Sequence, residues 1–236
     1  MGAILLDNIS FEPDRTLAQR RLRVDPESAL AVELDGRLAE ATEIARPKAL
    51  YHVGLIESRD DDGVVIDGIR FTSRVLAVNL AETHRVFAYV ATCGSEIDAW
   101  AHAMDDVLHQ YWAETIKEMA LRAAMAALSK DIAERLQPSK LSTMNPGSLR
   151  DWPLKEQRQL FALFGEDTED TIGVRLEKSL LMSPNKSVSG IRFETEHDFA
   201  SCQLCPRRDC PGRRAPYDAD LYDRRYKLDS PSGDAT

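Results

Sequence analysis

The sequence predicts an α+β fold, a mainly antiparallel twisted sheet packed with long helices. Three observations lead there. Two β-rich runs, 51–57 and 64–71, flank an Asp- and Gly-containing turn at 58–63, the pattern of a hairpin. An apolar run at 86–92, VFAYVAT, reads as a buried strand. Two long stretches, 26–45 and 95–136, consist mostly of helix formers with apolar residues three or four apart.

After an extended start, Asp25 is placed to cap a helix over 26–45, with Pro26 at its first position and Glu27 near the positive end of its dipole. Leu30, Leu34, Leu38, Ala41 and Ala45 share one side, while Asp35, Glu40 and Glu43 face water. The acid triplet Asp60, Asp61 and Asp62 reads as a solvated turn, since no second ligand group stands at matching spacing for a cation. The strand at 86–92 stops at Cys93-Gly94, and a helical pattern begins at Ser95. The stretch 95–136 carries a small-residue face at Ala120, Ala123, Ala124, Ala127 and Leu128, as one helix or as two joined near Asp105. Pro138 ends it and Pro146-Gly147 forms a turn; Asp151 caps a short helix that Pro153 starts and Gly165 stops. Strands fit 174–182 and 188–194. The chain shows no internal repeat and no linker, so it reads as one domain over 1–236, with a Cys-rich loop at 200–214 and a mobile tail at 228–236.

Composition narrows the function. With 236 residues, 43% of them hydrophobic, the chain can fill a sizeable core. A net charge of -9, from 30 Lys and Arg against 39 Asp and Glu, argues against nucleic acid or an anionic membrane as a general partner. No apolar run approaches the roughly 20 residues that span a bilayer. The start MGAILLDNISFEPD has neither a basic leader nor a small-residue cleavage site, so a cytoplasmic location is expected. His52, His84, His102, His109 and His197 are scattered, and no phosphate loop, dinucleotide fingerprint or serine-hydrolase elbow is present.

The most informative segment is 145–193. It begins with a turn, Asn145, Pro146, Gly147 and Ser148, which exposes backbone groups able to hold a flat or polar ligand. An amphipathic helix follows, then an Ile-Gly-x-x-Leu-x-x-Ser run from Ile172 to Ser179, then Lys186 with Ser187-Val188-Ser189-Gly190. Taken by themselves, the last two runs read as core strands with a short turn. In this order the features resemble the reactivation domain of cobalamin-dependent methionine synthase, and Thr92, Gly94 and Asp98 match the turn that precedes that domain's long central helix.

The resemblance implies a reactivation-domain fold. It also implies that the stretch from Asn145 to Ser148 lines an S-adenosylmethionine site, that Glu177 belongs to the same cofactor-binding set, and that Lys186, Ser187, Val188, Ser189 and Gly190 form a turn beneath the cofactor. Thr143 and Ser148 stand where that family carries an Arg and a Tyr, which leaves Lys140 or Arg150 to supply the charge. The Asp-x-His-x-x-Gly signature of a cobalamin-binding module is absent, so any cobalamin is expected on a partner, a corrinoid-binding protein or methyltransferase, with an electron-donor protein besides. The implied role is reductive reactivation or methyl transfer; the alternatives are a non-catalytic adaptor and an iron–sulfur electron carrier.

Cys202, Cys205 and Cys210 offer three soft ligands within one loop, the first pair at metal-ligand spacing, and Cys93 is a candidate fourth. An iron–sulfur cluster, a zinc site, a redox dithiol and free thiols all remain open on this pattern.

Overall fold

The protein is described here by a computed structural model that covers residues 2–165, 168–196, 199–210 and 212–228. His197 and the tail at 229–236 lie outside the described residues. In chain order the elements are β1 (Ile4–Leu6), α1 (Arg15–Leu22), α2 (Ala29–Ile44), β2 (Lys48–Arg59), β3 (Gly63–Ile66), β4 (Ile69–Thr72), α3 (Arg74–Asn79), β5 (Arg85–Thr92), α4 (Ser95–His102) and α5 (Val107–Leu136). Then come β6 (Leu141–Met144), a single 3-10 turn at Leu154–Glu156, α6 (Gln157–Ala162), α7 (Thr168–Ile172), β7 (Arg175–Leu176), β8 (Met182–Ser183), β9 (Ser187–Glu194), a second 3-10 turn at Ser201–Gln203, and α8 (Leu221–Arg225). Strand neighbours run β4-β3-β2-β5-β9-β6, with β1 on β2. The registers of β1 on β2, β2 on β3, β3 on β4 and β6 on β9 are antiparallel.

Several boundaries differ from the sequence reading, each for a local reason. Asp25 spends its carboxylate on the Glu27 N–H at 3.0 Å and its carbonyl on Ser28, so a turn occupies 25–28 and α2 starts at Ala29. Leu30, expected on the buried side, is 43% exposed, whereas Leu34, Leu38, Ala41 and Ala45 are buried. The run 64–71 is two strands, because Asp67 and Gly68 both take positive φ, 44° and 75°, and make a two-residue hairpin turn between Ile66 and Ile69. The stretch 95–136 is two helices, and the break is set by Asp106, whose side chain accepts from the His109 N–H at 3.0 Å and so caps α5. Instead of one strand over 174–182 there is the short pair β7 and β8. The expected turn at 186–190 is largely the first part of β9.

The chain gathers into two compact units. The first comprises Met1–His52, Tyr89–Gln137 and Phe164–Ser189; the second comprises Val53–Ala88, Pro138–Leu163 and Gly190–Thr236. Three of the crossings fall inside β2, β5 and β9, which is why no linker is legible in the sequence.

The first unit has a helical core of Leu34, Leu38, Ala41, Cys93, Ile97, Trp112 and Ile116, among others. Gly94, with φ of 97°, joins β5 to α4; a Cβ there would lie 2.3 Å from the Arg46 carbonyl oxygen, so only glycine fits. Lys117 of α5 is fully buried and bonds Asp98 at 2.8 Å and Glu114 at 2.5 Å. Both carboxylates keep its ammonium charged against the cost of burial.

The second unit carries the β3–β4 hairpin, α3, β6, α6 and the carboxy-terminal segment. The acid triplet is a solvated turn, with Asp60 in a two-pronged pair with Arg70 at 2.6 and 3.0 Å. Trp152 is fully buried with its ring edge-on to Phe71, the centroids 6.4 Å apart.

Candidate functional site: a cavity at the Pro-Gly turn

The second unit contains a cavity of about 810 Å³, a size suited to a cofactor-sized ligand. Gly147, Ser148, Leu149, Arg150 and Asp151 form one side of it, and Leu204, Cys205, Pro206, Tyr217, Asp218 and Tyr222 line it as well. Val75, Pro153, Leu154 and Ala219 complete a mostly apolar lining.

The turn is built by local sequence. β6 ends at Met144, and Gly147 then takes a φ of 81° that residues with a side chain rarely adopt. The Gly147 N–H donates to the Trp152 carbonyl at 2.8 Å, closing a loop that the buried indole anchors. Ser148 donates from its N–H and from its hydroxyl to the Asn145 carbonyl, at 3.1 and 2.6 Å. A Cβ on Gly147 would come within 3.1 Å of the Leu154 side chain. Asp151 does not cap the helix that follows it, as its sequence position suggested. It accepts from the Val75 N–H at 2.9 Å and from the Ser73 hydroxyl, and so fixes the start of α3 while facing the cavity. The Trp152 indole N–H finds no hydrogen-bond partner among the described residues.

The cysteine-bearing side is held by one arginine. Arg213 donates to the carbonyls of Cys202 at 3.0 Å, Cys205 at 3.2 Å and Ala215 at 3.1 Å, and also to that of Arg207. The fixed fork of a guanidinium suits such a clamp. The Asp218 N–H donates to the Gln203 carbonyl at 2.9 Å and ties the following segment to the loop. Burial opposes ionisation of Cys202, but the N–H groups of Arg214 and Ala215 and the charge of Arg214 outweigh it and bring the thiol below its ordinary value. The Arg214 N–H lies 3.4 Å from the Cys202 sulfur. Tyr222 is displaced the other way: burial, then the Asp151 carboxylate, raises its phenol and keeps it protonated.

A search of solved structures matches a crystal structure of the MetH reactivation domain bound to AdoHcy, S-adenosylhomocysteine, with a TM-score of 0.60 over 85% of this chain and 81% of that one, at 15% sequence identity. The chain shares the fold of that reactivation domain. No protein-family model and no curated protein matches the sequence. The mixed helical and antiparallel architecture expected from 145–193 is therefore present at the level of the whole fold.

Against that fold, the candidate residues separate into groups. Gly147 and Ser148 line the cavity, and Asn145 accepts the bonds that shape their turn; Pro146, between them, is buried. Arg150 lines the cavity as an exposed residue, whereas Lys140, the other candidate for the missing charge, is not among the lining residues. Lys186, Ser187, Val188 and Ser189 belong to the first unit, and Gly190 is a buried residue of β9 in the second. Lys186 pairs with Glu114 at 3.2 Å, and the Ser187 hydroxyl donates to the Thr92 hydroxyl at 2.9 Å. Glu177 pairs with Arg175 at 2.7 Å.

The cysteines also divide. Cys205 lines the cavity, while Cys93 lies in the core of the first unit, where burial pushes its thiol up to about 12. Among the described residues no group of three or more His, Cys, Asp or Glu side chains is arranged to hold a metal ion. No helix among the described residues is long and apolar enough to cross a membrane. Sequence reasoning missed Tyr217, Asp218 and Tyr222, because they lie in a Pro-, Arg- and Asp-rich stretch with no periodic signal.

Proposed function

We propose that the cavity of the second unit binds an S-adenosyl ligand and that the chain services a corrinoid protein, in reductive reactivation or methyl transfer. The observation that carries this reading is the cavity wall itself: the Pro-Gly turn, which the sequence resemblance singled out, borders a cofactor-sized space. The MetH reactivation domain, whose fold this chain shares, is bound to AdoHcy in its crystal structure.

The lining suits such a ligand group by group. Arg150 offers a guanidinium to an amino-acid carboxylate. The apolar side chains accept a nucleoside, and the small Ser148 leaves room where a tyrosine would fill the turn. Asp151 places a carboxylate at the wall, which favours a cationic sulfonium over a neutral thioether. A bound S-adenosylmethionine would supply an electrophilic methyl group. The corrinoid that receives it sits on another protein, since the chain has no cobalamin-binding signature of its own, and a separate protein supplies the electron.

Calorimetric titration with S-adenosylmethionine tests the reading. Saturable heat below millimolar ligand is expected, and Arg150→Gln should weaken binding by about tenfold, the effect of losing one charged hydrogen-bonding partner. No heat at millimolar ligand from a folded protein would leave the adaptor role in its place.

A further inference from the structure

The Pro-Gly turn carries a serine where an aromatic ring is expected, but the cavity is not short of rings. Tyr217 is 48% exposed and Tyr222 is 41% exposed, and both line it. Neither ring is spent on the core. The Tyr217 hydroxyl has no hydrogen-bond partner among the described residues. Tyr222 leans on Tyr226 alone among the aromatic contacts of the described residues, with centroids 6.0 Å apart and planes at 39°.

The segment that carries the two rings is nevertheless anchored. Tyr226 is fully buried, donates its hydroxyl to the Asn79 side chain at 3.0 Å, and accepts through its carbonyl from Arg74 at 3.1 Å, which anchors α8. Asp218, next to Tyr217, pairs with Arg224 of α8 at 2.6 Å and is tied by its N–H to the cysteine loop. Two exposed tyrosines carried by an anchored backbone beside an apolar cavity leave only side-chain rotation to be ordered when a flat ligand arrives.

We infer that Tyr217 and Tyr222 are the base-stacking wall of this cavity, and that the ligand class they take is a purine nucleoside. The inference rests on the S-adenosyl reading and adds to it: the aromatic surface comes from the carboxy-terminal segment rather than from the Pro-Gly turn. The Tyr222 hydroxyl, kept protonated, can also donate to an acceptor nitrogen of the base.

The test is calorimetric titration of the full chain with adenosine, homocysteine and S-adenosylhomocysteine in turn, for the wild type and for Tyr217→Leu, Tyr222→Leu and Tyr217→Phe. Adenosine alone should bind the wild type. Each leucine variant should weaken adenosine and S-adenosylhomocysteine by at least about fivefold, the lower end for a lost base stack, while Tyr217→Phe keeps the affinity. Unfolding midpoints check that α8 is intact, and Tyr217→Leu, at an exposed residue, stands if Tyr222→Leu does not fold. Binding of S-adenosylhomocysteine that Tyr217→Leu leaves within about twofold overturns the stacking wall alone. Tyrosine-dependent binding of adenosine with no binding of S-adenosylhomocysteine supports the wall and removes the S-adenosyl reading. Silence toward all three ligands removes both.

Discussion

Gly147 shows how one backbone angle positions the site. Its φ of 81° lets its N–H reach the Trp152 carbonyl, and the space a Cβ would need is occupied by Leu154. Gly147→Ala is expected to cost about 1–3 kcal/mol of stability through strain and to lower affinity for an S-adenosyl ligand, as read by urea midpoint and by calorimetry; unchanged values would show that the turn is not constrained. Thiol reactivity gives a second measure. With Cys202 held below its ordinary value by Arg214 and backbone N–H groups, and Cys93 pushed up to about 12 by burial, iodoacetamide at neutral pH should label Cys202 and spare Cys93 in peptide maps. Asp60 offers a pH-dependent test. The Arg70 hydrogen bond, then the Asp62 N–H, hold its carboxyl at about 2. Because its folded value is depressed, its stabilising contribution is present above the ordinary carboxylate range and fades as pH falls from there toward 2. Carbon-13 titration should find that low midpoint in the wild type and a return toward 3.8, the unperturbed value, in Arg70→Gln.

At the scale of elements, the buried lysine of α5 is the feature with the largest expected effect. Lys117→Met would leave Asp98, only 15% exposed, without its lysine and with only the exposed His102 ring 3.6 Å away, while Glu114 retains Lys186. A loss of about 3 kcal/mol is expected, since breaking one side of a buried pair strands the other. Lys117→Met with Asp98→Leu should recover most of it in urea unfolding; a single variant as stable as the wild type would contradict the network. Element types with strong periodicity or composition were legible in the sequence: α2, α5, β5 and the β3–β4 region were all expected. What escaped was decided by single capping atoms. The start of α2 moved because Asp25 turned its carboxylate to Glu27, and the gap before α5 needed Asp106 as a cap. The Asp67-Gly68 hairpin was readable from its dipeptide, yet lay hidden inside a continuous β-rich run.

At the scale of the whole molecule, the reactivation-domain fold was legible through one segment, and the two-unit organisation was not, because three of the chain's changes of unit fall within strands rather than at linkers. The site was half legible. The Pro-Gly turn and Arg150 stood out, whereas the segment of Tyr217 and Tyr222 is tied down by Arg213, Asp218 and the long-range Tyr226–Asn79 bond, anchors that leave no periodic trace. The central claim is that an S-adenosyl ligand occupies the cavity at this turn. A nitrogen-15 NMR titration with S-adenosylhomocysteine reads it most directly. The expected result is a set of saturable shift changes confined to Gly147–Asp151, the cysteine loop near Cys205 and the Tyr217–Tyr222 segment; saturable changes elsewhere with these resonances still, or none at millimolar ligand, would contradict it.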